Sequence, residues 1–107
     1  MAVTPLRLAG PAQVSNTAAT KYTVPAATKT VVRHIHVQNP SGSPVTFTMS
    51  IGADAAATRI YDAFSIAAGQ VLDVFCYYVL EAAEIIQALA GTTNILVLTI
   101  DGEQRTL

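Results

Sequence analysis

Two histidines two residues apart, His34 and His36, are the only histidines in the chain. They stand in TVVRHIHVQN, a run that alternates as a β-strand does, so that residues i and i+2 point the same way. Two imidazoles on one side of a strand can hold one metal ion between them. A catalytic zinc or iron site needs at least a third protein ligand. The residues that follow, Val37, Gln38, Asn39, Pro40 and Ser41, include no carboxylate. The pair is therefore read as polar side chains facing solvent or a neighbouring subunit. No metal ion and no cofactor is expected. At an interface, protonation of these rings near pH 6 would loosen the contact.

Other chemistry is sparse. There is no Gly-x-Ser-x-Gly elbow, P-loop or dinucleotide fingerprint. Cys76 is the single cysteine, which precludes an intrachain disulfide, and it reads as a small buried apolar residue. The acids Asp54, Asp62, Asp73, Glu81, Glu84, Asp101 and Glu103 are scattered, and Asp54, Asp62, Glu81 and Asp101 are placed near turns. Arg59 and Asp62, three apart, are expected to form a weak surface pair. Tyr61, Phe64, Phe75, Tyr77 and Tyr78 could line a sugar-binding face, but core or interface packing is the simpler reading. The expectation is a protein that is not an enzyme.

Composition narrows the partners. The chain has 107 residues, 51% hydrophobic and only 12% charged. Ordinary soluble domains carry about 25% charged residues. So few charges on one small domain imply that part of its surface is covered, most simply by copies of itself. The net charge is −1 with no basic cluster, which argues against nucleic acid. The start, MAVTPLRLAGPAQ, lacks the apolar core of a secretory signal, and no apolar run is long enough to span a membrane. No membrane partner is expected, and synthesis in the cytoplasm is.

The elements that must position these residues read as strands. Residues 1–20, with Pro5, Gly10 and Pro11, read as an extended N-terminal arm with a short strand near Val3 to Leu8. Val3, Leu6, Leu8 and Val14 make it apolar enough to dock on this or a neighbouring subunit. Residues 21–107 read as a single β-sandwich domain. ATKYTV at 19–24 is a strand ended by Pro25. Thr30 to Gln38 is the next, with Val31, Arg33, Ile35 and Val37 on one face and Val32, His34, His36 and Gln38 on the other. NPSGSP turns the chain into Val45–Ile51, where Val45, Phe47, Met49 and Ile51 alternate with polar residues. These two strands are expected to pair as a hairpin.

The alanine-rich stretches 52–69 and 82–90 could be helical. Gly52, Gly69 and Gly91 and the runs RIY and FSI favour strands instead. In 70–80, Leu72, Val74, Cys76, Tyr78 and Leu80 oppose Val71, Asp73, Phe75, Tyr77 and Val79. A strand with two apolar faces belongs in a core or against a partner. The last strand is read at 94–101. YTVPAA, FSIAAG and VLEAAE echo one another as strand, tight turn and return strand. The expected fold is all-β: an antiparallel β-sandwich or jelly roll of about seven to eight strands.

Several of these pieces together resemble a group of small virion proteins of tailed bacteriophages. They are Tyr22 to Ala26, Val31 to Asn39, Ser41 to Gly42, Val45 to Thr48, Ala67 to Gly69 and Ile100 to Glu103, spread over residues 20–103. Ala27 and Ala83 depart from it, standing where that group tends to have Gly. The resemblance implies a non-enzymatic structural component of the particle. A capsid decoration protein is expected first. It would bind the major capsid protein as a homo-oligomer, a trimer by preference, and reside in the virion. Tail, neck or baseplate proteins and a carbohydrate-binding module for host recognition are the alternatives. The candidate interface residues are Val3, Leu6, Leu8, Val14, His34, His36, Tyr77 and Tyr78.

Overall fold

The computed structural model describes residues 2–106, so Met1 and Leu107, the outer ends of the expected arm and domain, lie outside it. Eight strands run along the chain: β1 Val3–Gln13, β2 Ala19–Thr23, β3 Thr28–Gln38, β4 Val45–Ile51, β5 Arg59–Ile66, β6 Val71–Leu80, β7 Ile85–Ala90 and β8 Val97–Thr106. They form two four-stranded antiparallel sheets, ordered β1-β8-β3-β6 and β2-β7-β4-β5. The pairs β1·β8, β2·β7, β3·β6 and β4·β5 nest like one long hairpin folded at the β4–β5 tip. Rolling that hairpin adds the pairs β3·β8 and β4·β7. The result is a jelly roll, and the stretches that could have been helical are β5 and β7.

Every connection except β4–β5 changes sheet. The expected hairpin of β3 with β4 therefore does not form. β3 pairs with β6 and β8, and β4 with β5 and β7. Asn39 explains why NPSGSP crosses between the sheets rather than closing a hairpin. It is fully buried, and its Nδ2 donates to the carbonyls of Ser43 and Ile66, both at 2.9 Å. Its Oδ1 accepts from the Ser41 amide and hydroxyl. The Gly69 amide donates to the Asn39 carbonyl, locking the β3–β4 corner to the β5–β6 corner.

The three echoed segments are likewise corners between sheets. Ala27, Gly69 and Ala83 take left-handed φ of 52°, 71° and 69°. Glycine adopts that conformation without the Cβ strain that Ala27 and Ala83 carry there. Two corners also bond each other: Val24 N donates to Glu84 O, and Ala83 N to Val24 O.

Residues 3–13 dock on their own subunit, as a full strand of the sandwich rather than an arm with a short strand near Val3 to Leu8. They form β1, paired with β8 from Val3 opposite Arg105 to Gln13 opposite Val97. Leu8 and Val14 enter the chain's own core with Val32, Ile35, Phe47, Met49, Leu80, Ile86, Leu98 and Ile100. β8 extends to Thr106, beyond the expected end at 101.

Candidate functional site

β3 is the axis of the site. Between Val32 and His34 it carries one residue more than β8, so Arg33 is a β-bulge. The bulge reverses which residues face out. Val32 is in the core before it and Ile35 and Val37 after it, while His34 and His36 point outward. The strict alternation that put Val32 on the histidine face is thus broken at Arg33. Gly102, opposite Val32, is required beside this bulge, because a Cβ there would run into the Val31 carbonyl.

The flanking strands bring the carboxylates. In register, His36 lies opposite Asp73 of β6, and His34 lies opposite Asp101 of β8. His34 also reaches diagonally across β6, and its Nε2 contacts Asp73 Oδ1. His36 Nδ1 approaches the same oxygen at 3.2 Å. His34 Nδ1 lies 3.3 Å from Asp101 Oδ2. The donor atoms of His34, His36 and Asp73 all lie within 4.8 Å of one another. Phe75 stacks on the His34 ring at 4.6 Å and 16°, holding its plane.

The local charges move the titrations as expected. The hydrogen bond to Asp73 is the main reason His34 keeps its proton to higher pH than a free imidazole, and Asp101 adds to it. His34, then His36, hold the Asp73 carboxyl below its usual range. Two carboxylates facing both ring nitrogens match an imidazolium that donates from each.

Around this cluster the outer face of β6 is largely apolar. Val71, Phe75, Tyr77 and Val79 are exposed, Phe75 to 81%. Arg33 lies 5.4 Å from the centre of the Tyr77 ring. No pocket is found among the described residues. The chemistry available is that of an open sheet face.

The other candidate residues divide. His34, His36, Tyr77 and Val3 are at the surface; Leu6 and Tyr78 pack against the core; Leu8 and Val14 are inside it. The inner face of β6 also takes Cys76, half-buried, whose Sγ lies 3.6 Å from the Val32 carbonyl and whose thiol burial pushes upward in pKa. Arg59 pairs with Asp62 at 2.9 Å as expected, and also with Asp54 through two nitrogens. Asp101 is on a strand face, not near a turn.

Sequence reasoning missed Asp73 and Asp101 as neighbours of the histidines. The alternation of VLDVFCYYVL placed Asp73 beside Phe75 and Tyr77, but not β6 beside β3. Among known proteins, no family model, curated protein or solved structure matches the chain.

Proposed function

We propose that this protein is a non-enzymatic structural component of a tailed-phage particle, a capsid decoration protein that binds the shell as a homo-oligomer, with a trimer favoured. The observation that carries the assembly part is β6. It is an edge strand ten residues long whose outer face presents Val71, Phe75, Tyr77 and Val79. A long edge with open backbone groups and an apolar face invites pairing. Proteins bury such surfaces against a partner, and aromatic residues dominate the energetics of those contacts. The assignment to a phage particle rests on the turn and strand segments that resemble virion proteins.

Light scattering on a sizing column tests the assembly. The parent is expected to elute at a multiple of the chain mass, and Phe75→Ser with Tyr77→Ser to elute as a folded monomer. A monomeric parent that does not bind undecorated heads refutes the decoration reading. Binding to isolated tails or necks instead moves the protein within the particle.

A second reading has its own observation. The exposed Tyr77 ring, beside Arg33 and Glu103, has the aromatic-plus-polar character of a sugar-binding surface. Tyr78, turned against the core, cannot share that role. Glycan-array binding lost in Tyr77→Ala would favour it; an array without signal would remove it.

A further inference from the structure

We propose that His34, His36 and Asp73 form a binding site for one zinc-class divalent ion, with Asp101 orienting His34. The inference is independent of the assembly reading, since a single chain supplies every group.

The reason to set a metal aside was the lack of a third ligand along β3. The tertiary structure supplies it from β6. Two imidazole nitrogens and a carboxylate oxygen converge within 4.8 Å. Zinc–nitrogen and zinc–oxygen bonds of about 2.0–2.2 Å place tetrahedral ligands roughly 3.4 Å apart. His36 Nδ1 and Asp73 Oδ1, at 3.2 Å, already have that spacing. His34 Nε2 and Asp73 Oδ1 lie closer than that spacing and must part to admit an ion.

A second carboxylate stands behind the ring: Asp101 Oδ2 lies 3.3 Å from His34 Nδ1, while Nε2 is turned to Asp73. A carboxylate behind a ligating histidine is the usual outer-shell arrangement of such sites.

The charge balance also fits. Lys29 pairs with Glu81, Arg33 and Arg105 with Glu103, and Arg59 with Asp54 and Asp62. Among the described residues, Asp73 and Asp101 are paired with histidine alone. With neutral imidazoles the cluster carries two negative charges, which one divalent ion balances. The N₂O donor set selects zinc, cobalt, nickel or copper over calcium or magnesium, which take mostly oxygen. Three protein ligands leave a fourth position open to water, and the site is open to solvent on that side.

Tag-free protein stripped with a chelator and dialysed would be titrated with Zn²⁺ by calorimetry, and with Co²⁺ by visible absorption. One ion per chain is expected, with a raised melting temperature. His36→Gln and Asp73→Asn should each abolish the saturable uptake and the Co²⁺ spectrum. Asp101→Asn, behind the ligand, should weaken affinity by about 10–100-fold without changing stoichiometry. These positions are on the outer face, so each chelated variant should keep the parent's circular dichroism. Uptake no stronger in the parent than in the His36→Gln, Asp73→Asn double variant overturns the proposal. So does parent-like affinity in either single variant.

Discussion

On the outside of the β2-β7-β4-β5 sheet, Thr20, Gln87, Ser50 and Arg59 stand opposite one another in register. Each is bonded within the chain. Gln87 donates to Thr20 Oγ1 at 3.1 Å and accepts from the Asp54 amide at 2.9 Å. Ser50 donates to the Gly52 carbonyl, and Arg59 clamps Asp54 and Asp62. On the outside of the other sheet the matching rows are Thr99, His36 and Asp73, and Asp101, His34 and Phe75. There the carboxylates meet only imidazoles, and the aromatic ring lies open. Hydrogen-bonding capacity already used inside the chain recognises little else. Capacity balanced only by titratable rings, beside exposed apolar surface, is free to take an ion or a partner. The charges of 54–62 serve to hold a turn.

Deleting residues 2–13 gives the largest expected effect on this contrast. Without β1, β8 loses its outer partner and the core loses Leu8, so cooperative unfolding should vanish in a urea titration followed by circular dichroism. A truncated chain that unfolds like the parent would show β1 to be dispensable. Thr48→Val comes next. Thr48 is buried, and its Oγ1 accepts from the Ala63 amide at 2.9 Å. Stranding that amide should cost about 1–3 kcal/mol in urea unfolding, with no change in assembly mass. Ala83→Gly should act in the opposite direction. Relief of the left-handed φ, less the added chain entropy of glycine, should gain about 0.5–1 kcal/mol. Phe75→Ser, on the open face, should change the unfolding of the dilute monomer by no more than about 0.5 kcal/mol. A larger loss would mean that the ring belongs to the fold rather than to a partner.

The smallest expected effects are two titrations of opposite sign. Arg59 holds the Asp54 carboxyl below its ordinary 3.8. The stability this pair adds is present above that value and lost as pH falls through the lowered one. Asp54→Asn should flatten that acid limb. On the other face, His34 is faced by Asp73 of β6, Asp101 of β8 and His36 of its own strand, and its pKa is raised from 6.5. Its contribution is present below 6.5 and lost as pH rises through the raised value. In chelator, His34→Gln should flatten that neutral limb and the part of the acid limb that Asp73 contributes, and leave the Asp54 part. Melting curves across the pH range separate the two faces.

Much of the fold follows from local pattern. The alternation of VTFTMSI and VLDVFCYYVL fixes two strands and their faces, because side chains in a strand project with period two. The small-residue turns were legible for the same reason, since only certain residues accept a left-handed φ. Pairing was not legible. NPSGSP has the composition of a hairpin turn, but a buried Asn39 with every polar atom bonded makes it a corner. The bulge at Arg33 was hidden too, because one inserted residue reverses every later face without changing composition.

The sequence by itself determined that this chain is all-β, poor in charge, and carries two histidines on one side of a strand. Only the tertiary structure decided what stands beside them. Asp73 lies 39 residues from His34 along the chain, and Asp101 lies 67. Alternation specifies which way a side chain points. It carries no information on which distant strand will lie about 4.8 Å away, because that choice is made by the packing of the whole core.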